Sequence, residues 1–313
     1  MEDFSFELFE KLGKACNQCS SDTISLSGGL DSTIIAYYLK DKKPKSIAVV
    51  AKDFEASDLV FCQLVAKEFE LPLSLLNVET SEILEAIENT ILILKNFNDI
   101  EIRNNVVMYL ALKWAKENGS GGIITGDGAD ELFAGYSFLI NKNEEELEQE
   151  LKRVFSVMHF PTQKIGESLG VKVESPFLNK EMIDLALQIP PTLKVKEHLG
   201  KKYGKWILRK TFEQKIPNKV VWRQKSPMQD GSGTCHLTKL FDNMITDADF
   251  VQKKEKIKDE SDIKIRTKES MHYFEIFKNH FGIPKKALET GCPFCHSSTE
   301  NSKFCRMCGA YPI

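Results

Sequence analysis

No stretch of this chain approaches the roughly 18 consecutive apolar residues that would carry a helix across a bilayer. The start, Met1-Glu2-Asp3-Phe4, lacks the basic residues that open a secretory signal, so a cytoplasmic setting with no membrane partner is expected. An excess of positive charge is missing too: 42 Lys and Arg against 45 Asp and Glu leave a net charge of −3. No global field therefore draws the chain to nucleic acid, and any such partner has to be argued from a local feature. Hydrophobic content of 42% and charged content of 28% over 313 residues leave an ordinary globular chain, long enough for one large domain with appendages. Cysteine is not scarce. Of eight, two form Cys16-x-x-Cys19, two stand alone as Cys62 and Cys235, and four cluster as Cys292, Cys295, Cys305 and Cys308. In a reducing compartment, clustered pairs point to metal before disulfides.

The chain is organised around Leu26-Ser27-Gly28-Gly29-Leu30-Asp31-Ser32. Thr23-Ile24-Ser25-Leu26 has the short apolar character of a buried strand, and Leu30, Ile34, Ile35, Tyr38 and Leu39 recur at helical spacing. The turn between them is a helix N-terminus, where unpaired N–H groups and the helix dipole favour an anion and glycine lets the backbone approach phosphate oxygens. Asp31 is mismatched to bare phosphate, and Mg²⁺ bridging carboxylate and phosphates resolves the mismatch. The loop is neither the Walker loop, with its Gly-Lys-Ser/Thr ending, nor the dinucleotide GxGxxG. A tight turn with a serine cap is the plain alternative.

The loop resembles the PP-loop of the ATP pyrophosphatase superfamily, which cleaves ATP between the α and β phosphates. A second stretch, Thr125-Gly126-Asp127-Gly128-Ala129-Asp130-Glu131-Leu132-Phe133-Ala134-Gly135-Tyr136, is similar to the signature of asparagine synthetase synthetase domains. A third is similar to their tail: Gly204-Lys205-Trp206-Ile207-Leu208-Arg209 and Val221-Trp222-Arg223-Gln224-Lys225. The resemblance covers roughly residues 22 to 233. It implies Ser27, Gly28, Gly29 and Ser32 on pyrophosphate, Asp31 and Asp130 on Mg²⁺, and Gly126 and the backbone near Val50 and Ala51 on the nucleotide. Lys205 and Lys225 would face the phosphates or the developing oxyanion. Asp127 stands where many asparagine synthetases carry glutamate and would orient or deprotonate the incoming amine; helix capping is its plain alternative. The glutamine-using members carry a cysteine after the initiator Met, heading an amidotransferase domain. Residue 2 here is Glu2, so no glutaminase half is expected, and ammonia would arrive free or from a glutaminase partner.

Strand and helix alternate from residue 22 onward, which predicts a parallel sheet with helices on both faces, an α/β fold of the PP-loop ATP pyrophosphatase, adenine nucleotide alpha hydrolase-like kind. Strands are expected at 46–51, 73–78 and 122–125, with helices near 58–69, 83–94 and 102–114. Both acidic motifs then meet at the strands' C-terminal edge. Residues 1–20 read as an N-terminal helical extension and 21–250 as the ATP pyrophosphatase domain with a helical C-terminal part. Within it, Asn143 to Arg153 reads as a solvated helix or linker, and Val157 to Leu193 as helices around the loop Glu174-Ser175-Pro176-Phe177-Leu178-Asn179. Residues 251–288 are a charged linker or helix suggesting a hinge, and 289–313 a small zinc ribbon. In the ribbon, two CxxC knuckles separated by nine residues offer four thiolates in the arrangement Zn²⁺ prefers, with no open position for catalysis. Reduced free thiols are the alternative.

Two functions stand side by side. The first is an ATP-dependent amide ligase of asparagine synthetase type, joining ammonia to a small-molecule carboxylate activated as its adenylate. The second is a PP-loop enzyme that modifies tRNA or a protein carrier by nitrogen or sulfur transfer, with the ribbon recruiting the macromolecule and Cys16 and Cys19 supplying thiols. Departures from the family also bear on the acceptor. Glu174 replaces an arginine and Asn179 an aspartate, while Met158 and Pro161 fall where an Asp and an Arg are usual. Aspartate is therefore not the expected acceptor, unless Arg103 or Lys164 supplies the cation or these positions only support the loop.

Overall fold

A computed structural model of the chain describes residues 2–52, 58–224, 237–288, 290–299 and 302–313. Its centre is a five-stranded sheet of order β3-β2-β1-β4-β5, every pair parallel. The strands are β1 (Thr23–Ser25), β2 (Lys45–Ala51), β3 (Leu73–Val78), β4 (Gly122–Ile124) and β5 (Lys172–Glu174). In β2 every residue after Lys45 is buried, as expected of an inner strand covered on both faces. The order reverses between β1 and β4, and loops leaving the two strands on either side of such a reversal diverge and open a crevice. The glycine-rich loop follows β1 and the acidic signature follows β4, so the topology brings them together.

The helices among the described residues are α1 (Glu2–Gln18), α2 (Leu30–Leu39), α3 (Leu59–Glu68), α4 (Thr80–Leu94), α5 (Asp99–Glu117), α6 (Ala129–Leu132), α7 (Glu144–Val157), α8 (Pro161–Leu169), α9 (Lys180–Gln188), α10 (Pro191–Lys194), α11 (Trp206–Phe212), α12 (Asn218–Val221), α13 (Leu237–Met244), α14 (Asp247–Ser261) and α15 (Lys268–Phe281). One apolar core joins α1, α2, α9 and α11 through Leu8, Leu12, Ile34, Leu185 and Phe212. The other joins α4, α5, α8 and α15 through Ile87, Ile102, Val106, Ile165 and Phe274. No helix among the described residues is long and apolar enough to cross a membrane.

Four stretches of the sequence reading are refined or corrected by the structure. Residues 2–18 form the expected helix, and Leu8, Leu12 and Cys16 are fully buried in the first core. The acidic stretch 143–153 belongs to α7, where Leu147, Leu151 and Val154 recur at i, i+4 and i+7 and are buried. The expected run of helices after Val157 is interrupted by β5, and a β-hairpin of β6 (Lys196–His198) and β7 (Lys201–Tyr203) precedes Lys205. The segment read as a hinge ends in α15, which buries Met271, Tyr273, Phe274 and Phe277 in the core that also holds the four clustered cysteines. Burial of this kind opposes free swinging. The second Cys knuckle is further tied to the residues that lead into α5 and α15: Phe97 N–H donates to Met307 O (2.9 Å), Asn98 Nδ2 to Arg306 O (3.3 Å) and Arg266 Nη2 to Cys308 O (2.7 Å).

Candidate active site

Gly28 sits at φ +66, and a Cβ there would lie 2.5 Å from Cys62 N, so this turn admits no side chain. The loop hydroxyls knit to one another: Ser27 Oγ and Ser32 Oγ are 3.1 Å apart, and Gly29 N–H donates to Ser27 Oγ (3.3 Å). Gly29 caps α2 in an extended conformation with no side chain on the free N–H groups. They are thus left for an incoming acceptor.

The two motifs touch. A Cβ on Gly126 would lie 2.9 Å from Asp31 Cβ, so the glycine is what lets the acidic turn close on the first loop. Between them stands Lys205, with Nζ 2.6 Å from Asp31 Oδ2 and 2.7 Å from Asp130 Oδ1. Burial alone would push this ammonium down, but the Asp130 and Asp31 carboxylates hold it above its ordinary value. Lys205 itself is left-handed (φ +54), as is Ala134 (φ +58). Left-handed backbone at two non-glycine residues is strain of the kind that clusters at working sites. Asp31 Oδ1 is enclosed with no hydrogen-bond partner among the described residues. A hard, unanswered oxygen beside a second carboxylate fits Mg²⁺.

Asp127 follows one residue behind Gly126. Thr125 Oγ1 donates to its Oδ2 (3.0 Å) and the Thr162 hydroxyl also bonds it. Burial pushes its carboxyl up to about 6, against the pull of Thr125 and with help from the nearby Glu131 charge. A carboxylate that gains and loses protons near neutrality suits proton transfer to and from an amine. Val50, Val49 and Met108 line a small cleft with Ser25, Ser27 and Asp58 directly behind the loop. Lys225 lies outside the described residues.

Several groups here were not singled out from sequence. Tyr136 Oη donates to Glu131 Oε1 (2.6 Å) inside the acidic signature. Arg209, one turn after Lys205, is buried and donates to Gly204 O (2.9 Å) and Arg223 O (3.0 Å), fixing the lysine's backbone to the segment that follows α12. Arg223 Nη2 pairs with Asp58 Oδ1 (2.5 Å) over the Phe61 ring, at the rim of the cleft. The i+4 spacing to Lys205 was the available signal for Arg209; nothing local marked Asp58.

The side chains of Glu174 and Asn179 are both engaged by neighbouring backbone. Glu174 accepts from Ser20 N–H (3.0 Å) and Ser21 N–H (2.7 Å) and pairs with Lys172. Burial works against its charge, yet Lys172 and Ser21 hold it down to about 2. Asn179 caps α9 by accepting from Glu181 N–H (3.0 Å). Arg103 pairs with Glu269 (3.0 Å) and Lys164 donates to Leu94 O (3.3 Å), so both are engaged away from the loop.

The sulfurs of Cys292, Cys295, Cys305 and Cys308 all lie within 4.8 Å of one another, with Cys292–Cys308 at 3.7 Å and Cys295–Cys305 at 3.6 Å. A tetrahedron with Zn–S arms of about 2.3 Å has edges of about 3.8 Å, so the cage fits a metal of that size.

The family model of asparagine synthase matches residues 21–163 and 141–264. The chain belongs to the asparagine synthase family. Among its relatives, the probable glutamine-hydrolyzing asparagine synthetase of Dictyostelium discoideum is 29% identical over 299 residues, covering 85% of this chain and 53% of that one. The glutamine-hydrolyzing nodule asparagine synthetase of Pisum sativum is 31% identical over 67% of this chain and 39% of its own. Asparagine synthetase B of Escherichia coli K12 is 29% identical over 84% of this chain and 51% of its own. The chain thus spans about half the length of these asparagine synthetases. An NMN synthetase structure from Francisella tularensis aligns over 93% of this chain and 98% of its own at 13% identity, with a TM-score of 0.39, too low to argue from.

Proposed function

We propose that this chain is an ATP-dependent amide ligase. A carboxylate oxygen attacks the α-phosphorus of ATP, the bond to the bridging oxygen breaks and pyrophosphate leaves. Ammonia then attacks the acyl carbon, AMP departs, and the surplus proton passes to Asp127. The observation that carries the reading is the meeting of the glycine-rich loop and the acidic signature on one ammonium, Lys205. The N–H groups of Leu30 and Asp31, with the Ser27 and Ser32 hydroxyls, receive the phosphates. Lys205 sits where charge develops on the departing pyrophosphate, and a fixed cation in a closed site stabilises that charge without reorganisation. Asp31 and Asp130 would hold Mg²⁺, which supplies further neutralisation of the phosphates when bound. The Val49–Val50 cleft takes the adenine, and the four cysteines hold a structural Zn²⁺.

Sulfur transfer is the weaker reading because the other described thiols are poor nucleophiles. Cys16 is fully buried and its thiol is pushed well up; burial holds Cys19 at about 11 and Cys62 at about 12. The test is pure protein with ATP, Mg²⁺, ammonium and a panel of carboxylates. AMP and pyrophosphate are the expected products, and Asp31→Ala should abolish them while the melting transition persists. ADP and phosphate as products would overturn the reading. Turnover with glutamine in place of ammonium would reassign the nitrogen source.

A further inference from the structure

β4 and β5 pair in parallel, and the ladder runs one residue past β4, where Thr125 N–H donates to Glu174 O (2.9 Å). That register sets Thr125 beside Ser175, and their hydroxyl oxygens lie 2.9 Å apart. Thr125 Oγ1 donates to Asp127 Oδ2 (3.0 Å), and Gln163 Nε2 donates to Ser175 Oγ (3.4 Å). A carboxylate only accepts and an amide nitrogen only donates. The donors therefore run in one order, from Gln163 through Ser175 and Thr125 to Asp127. Thr125 is 2% exposed, whereas Ser175 and Gln163 are half-buried. An unbroken line of hydroxyls thus joins the Asp127 carboxylate to side chains at the border of solvent. Of the acids beside Asp127, Glu131 accepts from Tyr136 and Asp130 pairs with Lys205.

We propose that Thr125 and Ser175 carry away the proton that Asp127 takes from the attacking amine, along a path behind the carboxylate that does not cross the substrates. The inference rests on the amide-ligase reading and deepens it. A base that takes one proton per turnover has to shed it before the next, and burial, which holds the Asp127 carboxyl at about 6, favours keeping it. Hydroxyls can pass it on, because each both donates and accepts. The proton on Asp127 Oδ2 moves to Thr125 Oγ1, the Thr125 proton to Ser175 Oγ, and the Ser175 proton to a water or buffer base. Each O–H bond that breaks is matched by one that forms, and Asp127 regains its charge. The transfer ends with Ser175 donating to Thr125 and Thr125 to Asp127, which is the order the structure holds. Neither hydroxyl meets substrate in this account; both act through Asp127.

Threonine and valine share a shape and differ in the hydroxyl, so the contrast between Ser175→Thr and Ser175→Val isolates the relay. Pyrophosphate release is followed with ATP, Mg²⁺, saturating ammonium and aspartate, glutamate, succinate or acetate, at fixed pH and ionic strength, in rising imidazole. In dilute buffer, kcat of Ser175→Val should lie about tenfold below that of Ser175→Thr, short of the loss that follows removal of a whole general base. Imidazole should restore it, because a small base takes the proton directly, and the KM for ATP should not differ between the two variants. Equal kcat values would overturn the proposal. So would a deficit that imidazole leaves in place, which is the mark of a packing role. If Ser175→Val does not melt cooperatively, Thr125→Ser against Thr125→Val repeats the contrast at the inner hydroxyl, with the same expected and overturning results. If the wild type releases no pyrophosphate with any acid, the amide-ligase reading fails and the relay falls with it. An active wild type whose two Ser175 variants behave alike fails the relay alone.

Discussion

Lys205 Nζ lies 2.6 Å from Asp31 Oδ2, across 174 positions of sequence. The same ammonium serves Asp130, so one cation keeps two carboxylates from repelling each other at the mouth of the phosphate loop. Lys205→Met should lower kcat by about 10²–10³, the usual loss when one fixed stabiliser of a developing charge is removed. Its melting temperature should also rise more steeply with Mg²⁺ than that of the wild type, because the cation then has no competitor. Unchanged turnover would remove Lys205 from the chemistry.

Asp127 gives a pH signature of known sign. Its folded pKa, about 6, lies above the usual carboxylate value, so the folded state favours the protonated form. The group's relative stabilisation is present in acid and is lost as pH rises from about 4 through about 6. Asp127→Asn should therefore be more stable than the wild type at pH 8 by about 2–3 kcal/mol at most, and no more stable at pH 4. Turnover of the wild type should fall as pH drops through about 6. A variant equally stable at both pH values would show that the carboxyl is not held up by burial.

One zinc per chain is expected by elemental analysis. Because the cage packs in the same core as Phe97, Phe274 and Phe277, Cys305→Ser or removal of everything after Glu289 should lower the melting temperature of the whole fold. An unaltered core transition after truncation would restore the hinge expected from the charged segment.

Arg223 pairs with Asp58, which lines the cleft behind the loop, the cleft proposed for adenine. Asp58→Ala should raise the KM for ATP severalfold and leave that for the carboxylate alone. A change confined to the carboxylate would move the cleft's assignment.

The sheet was readable because its inner strands are nearly all apolar and its helices show clear spacing. β5 was missed because three residues, Lys172–Glu174, carry two charges and no run at all; only pairing with β4 makes them a strand. The partners of Glu174 and Asn179 were hidden for a related reason: a charge change in a motif says nothing about which way the side chain faces, and here both accept from backbone N–H groups, those of Ser20, Ser21 and Glu181. The loop, the acidic signature and the Cys cage were legible because each is local. The pairing of Arg223 with Asp58 was not, since it joins residues 165 positions apart.

The bond from Phe97 N–H to Met307 O and the one from Asn98 Nδ2 to Arg306 O join residues about 208 positions apart. During synthesis the start of α5 leaves the ribosome long before its partner exists. At about 5–20 residues per second the wait is on the order of 10–40 s. Through that interval the apolar flank that will receive the cysteine knuckles is bare. Nascent chains of this protein should thus depend on chaperone holding until the cysteine knuckles have emerged and bound zinc.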